Sequence, residues 1–238
     1  MLKIRNIGLR ALIAVTWGLT PSPVDPAPVA RNLTPDSAMH SYLALGDSYT
    51  IGQSVSVADR YPVQAAKLIK GDHIQCSDPE IIATTGWTTA DLLTGIYNKA
   101  TPTPPYDIVT LLIGVNNQYQ GRSQDEYRQQ FGSLLQQSIQ LAGNRPSHVI
   151  VLSIPDYSVT PFARSVNAAL IASQIDSFNA INFQVSAEYK VNYLDITGES
   201  RKAATDPSLI ASDGLHFSGK EYGIWASLME PVMKELLK

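Results

Sequence analysis

Two separated segments carry the residue types of a nucleophilic catalyst. Ser48 follows the apolar run 42–45 in a Gly-containing turn, where a predicted strand ends and a hydroxyl is exposed. Asp213 and His216 stand three positions apart, just ahead of the last predicted helix. Serine needs a neighbouring base to remove its proton, and a carboxylate holds an imidazole in the required tautomer. The pattern predicts Ser48 as nucleophile, His216 as general base and Asp213 as the group that orients it.

Other titratable residues compete for these roles. Asp156 also follows a predicted strand and is an alternative partner for His216. We favour Asp213, because Asp156 and nearby aromatic residues with polar tips suit the rim of a half-wet substrate cleft. The remaining histidines, His40, His73 and His148, lie at the leader boundary or before predicted strands, which is the opposite edge of the sheet.

Two more segments offer hydrogen-bond donors for the oxyanion that forms when an ester is attacked. Asn116 and Asn117 follow the predicted strand 107–113, and Gly86 precedes a predicted helix. The Asn116 amide and the N–H groups of Gly86 and Ser48 are the candidate donors. Taken separately, the asparagines are more typical of a turn and Gly86 of a helix entry, and it is their combination that favours an oxyanion hole. We expect substrate contacts from residues beside these segments: Asp47, Trp87, Asn117, Tyr119, Asp156 and Tyr157.

Short β-branched runs alternate with helix-period segments, a pattern typical of a parallel sheet between two helical layers. The predicted strands are 42–45, 73–76 or 80–83, 107–113, 147–154 and 190–195. The predicted helices are 61–70, 89–99, 124–142, 163–189 and 219–237. Ser123 with Glu126 and Ser218 with Glu221 fit capping boxes at two helix starts. Pro231 is expected to kink or shorten the last helix.

Composition narrows the classes of function. The chain has 238 residues, a net charge of −3 and no block of like charges, so nucleic acid is not an expected partner. Its one cysteine, Cys76, is expected to be a buried thiol, and no metal-ligand spacing is present. We expect no metal and no cofactor, a small-molecule ester as ligand, and a monomer.

The N-terminal region has the order of an export signal. Lys3, Arg5 and Arg10 precede the apolar run 11–19, and a Pro-rich stretch follows at 21–28. The apolar run is shorter than the roughly 20 residues that span a bilayer, so a stable membrane span is not expected. We therefore predict a signal peptide or anchor with a Pro-rich leader over 1–39, one catalytic domain over 40–238, and a secreted, periplasmic or cell-envelope location. A disordered tail and an uncleaved tether remain alternatives for 1–39.

The blocks Gly46-Asp-Ser48-Tyr49, Gly86, Gly114-Val-Asn116-Asn117 and Asp213-Gly-Leu-His216 resemble, in order, those of the SGNH/GDSL hydrolases. The resemblance implies a three-layer α/β/α sandwich with a flavodoxin-like, five-stranded parallel sheet. It also implies a triad of Ser48, Asp213 and His216, and an oxyanion hole of Ser48, Gly86 and Asn116. Tyr49 departs from the family's pattern, because it replaces the leucine that gives the GDSL motif its last letter. The implied activity is serine esterase or acylhydrolase chemistry through an acyl-enzyme.

Several alternatives share the same residues. A carbohydrate O-acetylesterase or an acyltransferase would use the same triad, and loop shape rather than motif chemistry separates them. A non-catalytic glycan-binding or flavin-binding module is a different class. Flavin is disfavoured because Asp47 occupies the turn where a phosphate would bind.

Overall fold

The computed structural model describes residues 39–98 and 104–238. The predicted leader, 1–39, falls outside this part of the chain except for Met39.

Five parallel strands form one sheet in the order β2-β1-β3-β4-β5. Their bounds are β1 Tyr42–Gly46, β2 Glu80–Ala83, β3 Ile108–Leu112, β4 Val149–Leu152 and β5 Asn192–Leu194. Every residue of β1, β3 and β4 is buried, because helices cover both faces of the sheet. The predicted fold class, a flavodoxin-like three-layer sandwich, is confirmed.

The uncertain second strand is Glu80–Ala83, which pairs with β1 from Leu43 to Gly46. The alternative, 73–76, does not form a strand. His73 has a left-handed backbone, with φ of +65°, which ends the preceding helix and is incompatible with an extended run. Cys76 makes only an isolated bridge with His40, and its buried thiol forms no disulfide but donates to the Ser77 carbonyl oxygen at 3.5 Å.

The main helices agree with the predicted periodicity. The helices are α1 Ser48–Ile51, α2 Tyr61–Gly71, α3 Thr89–Asn98, α4 Val115–Tyr119, α5 Gln124–Leu141, α6 Ala168–Tyr189, α7 Thr197–Ser200 and α8 Gly219–Leu236. Both predicted capping serines accept the expected backbone N–H, from Glu126 in α5 and from Glu221 in α8.

The start predicted for α6 was wrong, and of the two effects predicted for Pro231 the structure excludes one, the shortening of α8. Helix α6 begins at Ala168 rather than 163, because Pro161–Ser165 forms a separate 3₁₀ turn and Asn167 caps the helix by accepting the Leu170 N–H. Helix α8 is not shortened by Pro231 but continues to Leu236. It packs along α2, and Met229 and Met233, on either side of the proline, are fully buried, so burial offsets the lost hydrogen bond.

The order of the strands determines where the candidate active-site residues lie. In an open sheet of this order, ligands bind beyond the carboxyl ends of the strands, where neighbouring connections leave in opposite directions. Strands β1 and β3 flank that point, and Ser48 and Asn116 follow directly after them.

Candidate active site

The turn after β1 depends on a glycine. A Cβ atom at Gly46 would lie 2.1 Å from the Thr50 hydroxyl oxygen and 2.4 Å from the Leu112 carbonyl oxygen, so no larger residue fits. Asp47 then caps α1, because its carboxylate accepts the Tyr49 N–H at 3.0 Å. This local structure places Ser48 at the first position of α1, immediately beyond the sheet edge.

Asp47 itself is fully buried and does not line the cavity that contains Ser48. One carboxylate oxygen caps α1, and the other, Oδ2, has no hydrogen-bond partner among the described residues. Burial raises the pKa of Asp47 to about 7, against the smaller opposing effect of the Tyr49 N–H bond. The structure places this predicted substrate contact beneath the site, as part of the turn that holds the serine.

Asp213 and His216 are joined directly. Nδ1 of His216 lies 2.6 Å from Oδ2 of Asp213, and Oδ1 accepts the backbone N–H groups of Leu215 and His216 at 2.9 Å each. Gly214, with φ of +72°, permits this tight turn. Burial acts to raise the pKa of Asp213, but the donated hydrogen bonds, first among them one from the Ser54 hydroxyl, lower it well below its ordinary value. The carboxylate is therefore charged at neutral pH.

Tyr49, the residue that departs from the family's motif, packs against the imidazole. Its ring meets His216 edge to face, with 5.7 Å between centroids and 67° between planes. It also contacts the buried rings of Phe217 and Trp225. The larger side chain thus supports the histidine from the core side.

Asp156, the alternative partner for His216, is engaged elsewhere. Its side chain is 1% exposed and accepts hydrogen bonds from Arg201 Nε and the Ser158 N–H, both at 2.9 Å. Arg201 also reaches Asp176 at 2.6 Å. The geometry pairs His216 with Asp213, and Asp156 lies in a structural ion pair behind the cavity wall.

The two asparagines after β3 do different things. The Asn116 amide donates to the Trp87 carbonyl oxygen at 2.9 Å and lines the same cavity as Ser48. Asn117 is fully buried and accepts the Thr89 N–H while donating to the Thr89 hydroxyl, so it holds the start of α3. The residue type alone did not show that Asn117 has a structural role at the start of α3.

Gly86 and Trp87 lie beside the site without lining the cavity. Gly86 has φ of +87°, which favours glycine, and it is exposed. Trp87 packs on α3 so closely that a Cβ atom at Gly95 would lie 2.4 Å from its ring. The structure brings Ser48, Asn116 and His216 into one cavity and leaves Gly86 at its edge.

That cavity has a volume of about 240 Å³ and a largely apolar wall. Besides Ser48, Asn116 and His216, it is lined by Tyr49, Val115, Tyr119, Tyr157, Phe162 and Leu215. Tyr157 is held in place because its hydroxyl donates to Gln118, which in turn bonds Gln174 of α6. Tyr119 and Phe162 are 62% and 42% exposed, so they form the outer part of the wall.

Sequence reasoning missed Phe162 and Ser54. Phe162 lies in the 3₁₀ turn at Pro161–Ser165, where the sequence favoured helix, and its ring contacts both Tyr119 and Tyr157. Ser54 donates to Asp213 from a loop far away in the sequence. No local pattern marks either contact, although the aromatic residue next to Pro161 was a usable signal.

Comparisons with known proteins give the family. The model of the GDSL-like lipase/acylhydrolase family matches residues 44–224, so the chain belongs to that family and is an ester-cleaving hydrolase. No curated protein matches it in sequence.

Solved structures share the fold at low sequence identity. A lipase/acylhydrolase from Enterococcus faecalis is 17% identical, with a TM-score of 0.63 over 84% of this chain and 96% of that one. TesA is 16% identical, with a TM-score of 0.66 over 83% and 99%. The acetylxylan esterase Axe2 from Geobacillus stearothermophilus is 16% identical, with a TM-score of 0.62 over 82% and 94%.

The described residues also bear on metal binding and membrane insertion. They contain no cluster of three or more His, Cys, Asp or Glu side chains arranged to hold a metal ion. In the same part of the chain, no helix is both long and apolar enough to cross a bilayer.

Proposed function

We propose that this protein is a serine esterase that hydrolyses carboxylic esters with a short acyl group, using Ser48, His216 and Asp213 as a triad. The observation that carries the proposal is the 2.6 Å contact between Asp213 and His216 at the wall of the cavity that also contains Ser48. A charged carboxylate on one ring nitrogen leaves the other to accept a proton from the serine.

The reaction follows from these groups. The Ser48 oxygen attacks the ester carbonyl carbon while Nε2 of His216 takes the hydroxyl proton. The tetrahedral intermediate collapses, the C–O bond to the alcohol breaks, and His216 returns the proton to the departing oxygen. His216 then takes a proton from water, whose oxygen attacks the acyl carbon. The bond from Ser48 Oγ to the acyl group breaks, His216 returns the proton to that oxygen, and the acid is released with the Ser48 hydroxyl restored.

The oxyanion needs preorganised donors during both steps. The Asn116 amide has two N–H bonds. The Trp87 carbonyl oxygen accepts one of them, which leaves the other to donate to the substrate. The backbone N–H groups of Ser48 and Gly86 are the other proposed donors. Trp87 thus contributes through its carbonyl oxygen, by holding Asn116.

The cavity supports a small acyl group. Its volume, about 240 Å³, is below the range of roughly 300–1,000 Å³ that holds a drug-sized ligand. Its aromatic and aliphatic wall favours an apolar acyl chain over a charged one. Tyr119 and Phe162, on the exposed side, would contact the alcohol part or the end of a longer chain.

A second candidate is a carbohydrate O-acetylesterase. The exposed Tyr119 ring at the cavity mouth favours it, because such a ring can cover one face of a sugar, and the fold is shared with an acetylxylan esterase. Rates on p-nitrophenyl acetate, butyrate and octanoate, compared with acetate release from acetylated xylan, separate the two. Product analysis with an added sugar acceptor identifies acyl transfer, the third candidate.

The export signal predicted over the N-terminal residues supports a secreted, periplasmic or cell-envelope enzyme. Fractionation of cells expressing the full chain, followed by N-terminal sequencing of the esterase, tests this proposal. Activity confined to the cytosol, with Met1 or Leu2 still present, would contradict it.

Ser48→Ala tests the main proposal directly. We expect it to lower kcat/KM on p-nitrophenyl acetate by about a thousandfold or more, because no other group supplies the nucleophile. Ser227→Ala, on the exposed surface of α8, is the matched control and should retain full activity. Unchanged far-UV circular dichroism would show that both variants fold, and retained turnover in Ser48→Ala would refute the proposal.

A further inference from the structure

Ser54 joins the loop after α1 to the turn that carries Asp213 and His216. Its Oγ donates to Oδ2 of Asp213 at 2.7 Å, and that same oxygen lies 2.6 Å from Nδ1 of His216. Ser54 does not line the cavity. Its hydroxyl therefore touches the acid that orients the histidine, without touching the space where the substrate binds.

The other hydrogen bonds to Asp213 all come from its own turn. Oδ1 accepts the N–H groups of Leu215 and His216. Within the described residues, Ser54 is the single donor to this carboxylate from another part of the chain. Backbone N–H groups of Phe162 and Ala211 donate to the carbonyl oxygens of Gly214 and His216 and hold the turn itself. The Ser54 hydroxyl is the side-chain bond that ties the Asp213 carboxylate to the loop that follows the nucleophile.

The loop around Ser54 is itself anchored on both sides. The Gln53 N–H donates to the Ser48 carbonyl oxygen at 2.9 Å, and the Thr85 hydroxyl donates to the Gln53 side chain at 2.7 Å. Ser54 adopts φ of +67°, a conformation that residues other than glycine rarely take. With this left-handed backbone, the Ser54 hydroxyl points at Asp213. Hydrogen bonds of the neighbouring Gln53 join the loop to Ser48 and to Thr85, next to Gly86.

We infer that Ser54 is a positioning residue for catalysis: its hydroxyl fixes the Asp213 carboxylate in the orientation that holds His216 ready to take the Ser48 proton. The inference rests on the proposed triad and deepens it. It adds no chemical step, because Ser54 neither gains nor loses a proton during turnover.

Ser54→Gly is the sharpest test, because glycine takes positive φ without strain and removes only the hydroxymethyl group. We expect kcat on p-nitrophenyl acetate to fall about tenfold or more, as for a lost hydrogen bond to a charged group, while KM changes by less than about twofold. Ser54→Ala, which keeps Cβ but not the hydroxyl, should show the same split between kcat and KM.

Ser56→Ala is the matched control from the same loop. Ser56 donates to Asp59 rather than to Asp213, so this variant should keep kcat within about twofold of wild type. A double-mutant cycle then isolates the contact. In an Asp213→Ala background, Ser54→Gly should lower kcat by less than about twofold further, because the hydroxyl no longer has a carboxylate to position.

A Ser54→Gly enzyme with kcat within about twofold of wild type would overturn the inference, since water or a neighbouring group would then orient Asp213 equally well. An equal loss in the Asp213→Ala background would also overturn it. Failure of the triad itself has a different signature, because Ser48→Ala would then retain turnover whatever Ser54 does.

Discussion

Replacing the buried Asp47 by asparagine is expected to stabilise the protein at alkaline pH and to have no such benefit in acid. Asp47 is fully buried with one oxygen lacking a partner, and burial raises its pKa from 3.8 to about 7. A carboxyl with a raised pKa holds its proton more tightly in the folded state than in the unfolded state. Its stabilising contribution is therefore complete below about pH 4 and is lost as the pH rises through about 7.

The magnitude follows from the size of that shift. About three pKa units, at 1.36 kcal/mol each, give an upper bound of ~4 kcal/mol for the destabilisation caused by the ionised carboxylate above pH ~8. Asparagine removes this charge and keeps an oxygen for the Tyr49 N–H. Its amide nitrogen takes the place of the unpaired oxygen and costs ~1–3 kcal/mol. The net gain is then at most ~1–3 kcal/mol at pH ~8, and it changes to a loss near pH ~4.

Urea unfolding of wild type and Asp47→Asn between pH ~4 and ~8.5 measures this difference, and Asp125→Asn on the exposed start of α5 is the matched control. Taking the difference between the two proteins cancels the other titrating groups. A difference in unfolding free energy that does not change with pH would refute the reasoning, because it would show that Asp47 titrates alike in the folded and unfolded states.

Two further substitutions test contacts in and around the candidate active site. Phe162→Ala should lower the butyrate-to-acetate ratio of kcat/KM by up to about fourfold for each methylene that contacts the ring. Tyr97→Ala is the control, because Tyr97 is 87% exposed and lies outside the cavity. An unchanged ratio in Phe162→Ala would show that the acyl chain does not contact Phe162. Arg201→Met should lower the free energy of unfolding at neutral pH by ~3 kcal/mol, because it leaves the Asp156 carboxylate buried without its cation. Urea titration measures this loss, and Asp156→Asn in the Arg201→Met background should recover part of it; no recovery would contradict the assigned pairing.

Much of the site could be predicted because its residues follow strand ends. A serine after a buried strand, an Asn after the next strand in space and a short Asp-to-His spacing are all local signals, and parallel topology brings them to one edge. The Asp213 and His216 pairing could be inferred for a different local reason, since a four-residue turn from Asp213 to His216 brings carboxylate and imidazole together.

The rest depended on contacts between distant parts of the chain. Whether Asp156 or Asp213 meets His216 is decided by Arg201, which binds Asp156 from another segment. Asp47 and Asn117 look like substrate-binding residues by type, yet both are fully buried and hold turns together. The choice of second strand was ambiguous because residues 73–76 and 80–83 are both short apolar runs, and only the backbone at His73 excludes the first.

We propose that His216, held by Asp213, activates Ser48 as the nucleophile. Reaction of the full chain with a fluorophosphonate ester, followed by intact-mass measurement and peptide mapping, tests it most directly. We expect one adduct, on Ser48, formed with loss of fluoride, absent from Ser48→Ala and formed at least about a hundredfold more slowly in His216→Ala. An adduct on another residue, or labelling of Ser48 at an unchanged rate without His216, would contradict the account.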